Sequence, residues 1–331
     1  MEPLHPGGRS MLFIFSFLCA LFVDVFAKER ENRVKTTNDA ELFSLHQALW
    51  VFDFAAAAYG QDPNLCLVKH NASLVYRLTL PCDYSKDECW GYVAMRDGWI
   101  IVAFRGTRTK VQLITELIES MSEPKKKIRA GGAVQHYFYI ALNAVWRQMH
   151  VVLRKLHATY PDYQIMFTGH SLGGALASLA STVFAHRHPA LQSKIHLITY
   201  GQPRVGNFDY AQAHSRLVPK SWRIVHKYDL VAHLPLCAFR LLSRSCTSLH
   251  NHSPYHHGTE VWFPSNMTAN SMYRICEGMP IFEDDDCSNG YYLHYGVRDH
   301  VRYFEHEVSE YGSNGCVDSP DPPSQQLNTL R

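Results

Sequence analysis

The chain has 331 residues, 46% hydrophobic and 19% charged, with 19 glycines and 16 prolines. That composition excludes collagen-like, coiled-coil and wholly disordered proteins. Its 32 Lys and Arg against 30 Asp and Glu leave a formal net charge of +2, too small to spread a field of one sign along a phosphate backbone, so no nucleic-acid partner is expected.

The amino-terminal segment carries a positive charge at Arg9, an apolar run over residues 11–23, then Val25-Phe26-Ala27 ahead of a charged run that begins at Lys28. This pattern reads as a signal peptide over residues 1–27, cleaved after Ala27. The apolar run falls short of the ~20 residues a spanning helix needs and is closed by Asp24. No other run approaches that length, so no transmembrane anchor is expected and the mature chain reads as secreted.

Asn38 or Asp39 can cap a helix running from about residue 40 through Leu45, Leu49, Phe52 and Ala56 to a stop at Gly60. A cysteine-rich excursion follows, to about Trp90. Two apolar runs, 92–95 and 99–104, flank Arg96-Asp97-Gly98, and a D-G turn between such runs predicts a hairpin. The second run is apolar on both faces, which places it centrally. Phe138, Leu142, Val145, Met149 and Leu153 recur at helical spacing over 138–157, and Pro161 precedes a strand over 163–168. Beyond it the pattern gives a helix over 172–186, a strand over 195–200, a helix over 208–217 and a strand over 221–226. That alternation predicts a mostly parallel α/β sheet in one domain, residues 28–318. The tail 319–331, with Pro320, Pro322 and Pro323, is expected to be disordered.

Of nine cysteines, Cys19 lies in the signal peptide. The even remainder in an exported chain predicts four disulfides: Cys82 to Cys89, Cys237 to Cys246, Cys276 to Cys287, and Cys66 to Cys316 tying down the carboxyl end. No C-x-x-C pair is present, so no metal site is expected. Asn71-Ala-Ser73, Asn251-His-Ser253 and Asn266-Met-Thr268 are glycosylation sequons.

Gly169-His170-Ser171-Leu172-Gly173 is G-x-S-x-G between a predicted strand and a predicted helix. Such a turn lifts the serine hydroxyl clear of the backbone and aims a helix amino terminus at developing negative charge. A serine hydroxyl needs a base, and the base needs a carboxylate to fix its tautomer. In this architecture the acid follows the serine and the histidine follows the acid. Asp229 comes just after a strand and so belongs at the carboxyl edge of the sheet; Asp209, inside a predicted helix, is the weaker candidate. His233, His250, His252, His256, His257, His294, His300 and His306 all follow Asp229, and spacing does not choose among them.

Five blocks stand in order: Ile101-Val-Ala-Phe-Arg-Gly-Thr107, Thr168-Gly-His-Ser-Leu-Gly-Gly-Ala-Leu176, Tyr200-Gly-Gln-Pro-Arg-Val-Gly-Asn207, Asp229-Leu-Val-Ala-His-Leu-Pro235 and Asp299-His-Val-Arg-Tyr-Phe304. Together they resemble the class 3, fungal-type lipase family over residues 90–304, in particular its secreted cysteine-rich animal members. The resemblance implies an α/β-hydrolase fold with a helical lid and no cofactor. It implies Ser171 as nucleophile, Asp229 as acid and His300 as base, with an oxyanion held by the backbone N–H groups of Thr107 and Leu172. Two departures touch the surroundings. The family's tryptophan and aspartate after the oxyanion loop are missing from Val111-Gln-Leu-Ile-Thr-Glu-Leu-Ile-Glu119, and its V-H-x-G-F block reads Val134-Gln-His-Tyr-Phe138.

Leu113, Leu117 and Ile118 suit the apolar face of a lid helix, with Lys125, Lys126, Lys127 and Arg129 beside it for anionic head groups. The histidines from His250 to His257 read as surface or hydrogen-bonding groups, and Glu283-Asp-Asp-Asp286 as a solvated turn. The function expected is a secreted serine hydrolase acting on carboxylic esters of lipids, triacylglycerols foremost, with a lipid or ester substrate as partner. A phospholipase, a soluble carboxylesterase and a non-catalytic lipid-binding protein on the same fold are the alternatives.

Overall fold

A computed structural model describes residues 43–81, 88–107, 125–239, 245–248, 252–268, 270–291 and 294–317. The elements named below belong to the unit Ser44–Arg331. The signal peptide, the tail 319–331, the lid segment with Leu113, Leu117 and Ile118, and Cys82, His250 and Asn251 lie outside the described residues.

Helix α1 (Leu45–Ala57) starts later than expected, because the Ser44 hydroxyl accepts from the Gln47 N–H at 3.2 Å and caps it there. The cysteine-rich excursion contains a strand not predicted above, β1 (Ser73–Pro81), half exposed along its length. The predicted hairpin is present as β2 (Glu88–Arg96) and β3 (Trp99–Phe104), closed by an Arg96 to Trp99 pair with Gly98 at φ +73°. Then come α2 (His136–Thr159), β4 (Gln164–His170), α3 (Leu172–Arg187), β5 (Ile195–Tyr200), α4 (Phe208–Leu217) and β6 (Lys220–His226), each within a few residues of its predicted span. Two further strands, β7 (Thr259–Phe263) and β8 (Arg274–Ile275), complete an eight-stranded sheet whose spatial order is its chain order.

Strands β3 to β7 are parallel and the outer pairings are antiparallel. Strand alternation sorts the two faces. Ile100, Val102 and Phe104 of β3 and Ile165 and Phe167 of β4 join Phe138, Leu142 and Met149 of α2 and Leu176 and Phe184 of α3 in one buried cluster. The intervening positions serve the opposite face, where α1 sets Trp50 against Trp99 at 5.8 Å and Phe52 against Tyr200 at 5.3 Å. With both faces covered, β3 is buried from Ile100 to Phe104, as its two-sided apolar sequence requires.

Cys66–Cys316, Cys237–Cys246 and Cys276–Cys287 are disulfides, as expected. Cys89 is also disulfide-bonded. Among the described residues no helix is long and apolar enough to cross a membrane.

Candidate active site

Parallel strands bring their carboxyl ends to one edge, and the predicted residues gather there. Ser171 stands between β4 and α3 at φ 59° and ψ −129°, a conformation L-residues rarely adopt. The flanking glycines are steric requirements: a Cβ on Gly169 would lie 2.4 Å from the Gly173 backbone, and one on Gly173 would lie 2.1 Å from the Phe104 carbonyl oxygen. The Ser171 N–H donates to the Tyr200 carbonyl at 2.9 Å, pinning the turn to β5. Leu172 opens α3, so its N–H has no intrahelical acceptor. A Cβ on Gly106 would come within 3.1 Å of the Ser171 Cβ, which puts the Gly106-Thr107 loop beside the same turn.

Asp229, fully buried, follows β6. Its Oδ1 accepts from the N–H groups of Val231 and Ala232 at 2.8 and 3.2 Å. His300, buried in the helix α5 (Val297–Val301), presents Nδ1 to both carboxylate oxygens, 3.0 Å from Oδ1 and 2.9 Å from Oδ2. Tyr303 adds an O–H bond to Oδ2 at 2.6 Å. Burial pushes the Asp229 carboxyl up, but the His300 charge and the hydrogen bonds of His300, Tyr303 and Ala232 outweigh it and hold the pKa at about 2. The two loops are stitched together as well, with Gly296 N–H on the Tyr228 carbonyl and Leu230 N–H on the Gly296 carbonyl. Gly201, at φ +57°, leaves room for the pair: a Cβ there would meet Asp229 Oδ2 at 2.6 Å.

His300 Nε2 and Ser171 Oγ are both buried and neither has a hydrogen-bond partner. Asp209 is exposed at the start of α4. Among the described histidines after Asp229, His300 is the one that bonds its carboxylate. His233 instead places Nδ1 2.7 Å from the Asp229 backbone oxygen, and His257 bonds Ser178 Oγ at 2.7 Å.

A second layer holds this arrangement and was not legible as such in the sequence. The His170 ring stacks on His300 with centroids 4.6 Å apart, Nδ1 lies 2.8 Å from Tyr59 Oη, and Nε2 lies 2.9 Å from the His300 carbonyl oxygen. Burial, then the neighbouring His300, lowers the His170 pKa to about 3. The neutral ring therefore accepts from Tyr59 and donates to His300. Glu283 departs from the solvated turn expected of the acidic run. It is buried and paired with Arg204, Nε to Oε1 at 2.7 Å and Nη2 to Oε2 at 2.9 Å, because a run of acidic residues does not say which one turns inward. Arg204 also donates to the His233 and Pro235 carbonyls, bracing the loop after Asp229. Glu260, Cys276 and Cys287 lie close enough to hold a metal ion, but the two sulfurs are joined as a disulfide and offer no thiolate.

Comparisons with known proteins bear on the family and the fold. The model of the class 3 lipase family matches residues 101–239. A Caenorhabditis elegans lipase is 34% identical over 291 residues, covering 82% of this chain and 82% of that protein. A Rhizopus niveus lipase is 33% identical over 219 residues, 65% of this chain, which spans half the length of that protein. Among solved structures, the lipase of Rhizopus microsporus var. chinensis superposes with a TM-score of 0.66 at 26% identity, covering 81% of this chain and 90% of that one.

Proposed function

The chain belongs to the class 3 lipase family, and from that premise we propose that it is a secreted serine hydrolase cleaving carboxylic ester bonds of lipids, triacylglycerols foremost, through an acyl-enzyme on Ser171. The observation that carries this reading is the Asp229–His300 pair, closed on the Nδ1 side and open at Nε2, beside a serine whose hydroxyl is likewise unpaired. Catalytic hydrogen bonds of this kind tighten when substrate arrives.

His300 Nε2 takes the Ser171 proton as Oγ bonds to the ester carbonyl carbon. The carbonyl oxygen becomes an oxyanion held by the Thr107 and Leu172 N–H groups. His300 then protonates the departing alcohol oxygen as its bond to carbon breaks, leaving the acyl-enzyme. Water repeats the sequence: His300 takes its proton, the oxygen attacks the acyl carbon, and Ser171 recovers a proton as the acid leaves. Asp229, ionised at every working pH, stabilises the imidazolium without taking its proton. The disulfides support an exported protein, and lipase relatives support a lipid ester as substrate.

The test is hydrolysis by purified protein of short-chain and long-chain monoesters, triacylglycerols and phospholipids, beside Ser171→Ala. Triacylglycerol turnover that Ser171→Ala abolishes is the expected result. Faster release from phospholipid, or from dissolved short esters alone, replaces triacylglycerol as the substrate; lipid binding without turnover overturns catalysis altogether.

A further inference from the structure

A cavity of about 430 Å³ opens on the α1 face of the sheet, a volume typical of small-ligand sites. Phe52, Phe304, Tyr311 and Met267, all buried, give it an apolar lining, and Trp50 and Arg96 line it too. Arg96 ends β2 opposite Trp99, which pairs with Gln164 where β4 begins, whereas Ser171 follows the end of β4. The length of that strand puts roughly 20 Å between Arg96 and Ser171.

The charge in this cavity is unevenly met. Asp53 is fully engaged, by His70 at 2.8 Å, the Tyr311 hydroxyl at 2.9 Å and Lys69 at 3.5 Å. Arg96 has no ion pair or hydrogen-bonded side-chain partner among the described residues; its guanidinium lies over Trp50 at 4.5 Å, and Nη1 is buried without an acceptor. His46 and His306 are the remaining basic groups of the lining, and Glu305, exposed in the turn after Phe304, is the remaining carboxylate. A buried guanidinium nitrogen left open is costly unless something accepts from it, and a planar guanidinium matches a carboxylate best.

We propose that this cavity is a second ligand site that takes an amphipathic monocarboxylate, its apolar body on Phe52, Phe304 and Tyr311 and its carboxylate on Arg96. A fatty acid released by ester hydrolysis and any other apolar acid share this chemistry. The site stands independently of Ser171.

Isothermal titration with decanoate, decanol and decyltrimethylammonium, each below its micellar concentration, tests it on the wild-type chain and on Ser171→Ala. Decanoate is expected to saturate a single site in both proteins, with decanol about tenfold weaker. Arg96→Gln should weaken decanoate by about tenfold or more, and Glu305→Gln should tighten it about two- to fivefold by removing the opposing charge. Decanoate that does not saturate, an affinity unmoved by Arg96→Gln, or equal binding of decyltrimethylammonium overturns the proposal. Should Arg96→Gln lose its circular dichroism spectrum, Glu305→Gln decides, since unchanged binding there also overturns it. Failure of the ester panel leaves these titrations unaffected, so the two readings fail separately.

Discussion

Two buried histidines, His214 and His300, differ in one respect. Behind α3, His214 uses both ring nitrogens, Nδ1 on Thr182 Oγ1 at 2.7 Å and Nε2 on Ser221 Oγ at 2.9 Å. At the carboxyl edge of the sheet, His300 uses Nδ1 alone. Their exposure is 0% and 1%, so burial does not separate them; an open nitrogen does. A ring closed at both ends solves a packing problem, and burial followed by the Arg223 charge takes the His214 pKa down to about 3, leaving it neutral and idle. A buried ring open at one end costs stability; His226, His256 and His257 also leave one nitrogen unpaired, and His300 differs from them in holding a buried carboxylate with the other.

The largest test of this contrast is kinetic. Ser171→Ala and His300→Ala should each lower kcat on a soluble short-chain ester by about 10⁴-fold or more, because members of such a set act as one unit. His214→Gln, which preserves donor and acceptor, should change kcat by less than about threefold. A dead His214→Gln enzyme, or an active His300→Ala one, would erase the distinction between closed and open rings.

The pH dependence of stability sharpens it. The unfolded His214 takes up a proton as pH falls through about 6.5, whereas the folded ring resists until about 3. In that window the unfolded state binds more protons, so stability is full above 6.5 and is lost as pH falls, by up to about 1.4 kcal/mol per pH unit for one group. His214→Gln should lower the slope between pH 6 and 4 by up to about 1.4 kcal/mol per pH unit, read by urea unfolding at a series of pH values, while His170, His233, His256 and His257, whose pKa values burial also lowers, keep their share. Asp229 works lower down. Its carboxyl is depressed from 3.8 to about 2, so its contribution is present above pH 4 and fades only below it. Asp229→Asn should therefore leave the slope between pH 6 and 4 unchanged, and a flattened slope there would show that the window belongs to the wrong group.

Tyr303→Phe probes the closed side of His300. The 2.6 Å bond to Asp229 Oδ2 is lost, the carboxyl becomes easier to protonate, and the imidazolium is held less firmly. A fall in kcat of about tenfold with KM unchanged is expected, of the size of one charge-assisted hydrogen bond. A rise in KM with kcat intact would instead make Tyr303 part of the substrate surface.

Local pattern made the scaffold legible where one face is buried and the period is clean: the D-G hairpin, the 138–157 helix and the strand-to-helix turn at Ser171 all lie near their predicted positions. Strand β1 alternates, with Leu74, Tyr76, Leu78 and Leu80 less exposed than Ser73, Val75, Thr79 and Pro81, so its period is legible within the cysteine-rich excursion. Strand β7 escaped because five residues between a histidine-rich loop and Pro264 carry too little pattern to separate strand from loop. Ser171 is readable from its immediate neighbours, and Asp229 from its place after a strand. His300 is not, since its distance from Asp229 in sequence is set by the intervening loops and strands; the resemblance to a family, not spacing, picked it from eight histidines. Tyr59, His170, Arg204 and Glu283 carry no local signal, because each acts through a contact made only on folding.

The smallest effect concerns the backbone at Ser171. Both Ser171→Ala and Ser171→Gly remove the unpaired hydroxyl, so the difference between them isolates the conformation. At an ordinary position glycine is the less stable of the two by roughly 0.5–1 kcal/mol, because it loses more chain entropy on folding. At φ 59° and ψ −129° an alanine Cβ is strained by about 1–3 kcal/mol while glycine is not, and the order should reverse. Ser171→Gly is thus expected to unfold at higher urea than Ser171→Ala, by about 1 kcal/mol with the disulfides intact. Equal stability, or alanine ahead, would mean that the elbow relaxes once the hydroxyl is gone. In that case the open serine would owe its geometry to its own side chain rather than to the glycines and the β5 hydrogen bond that surround it.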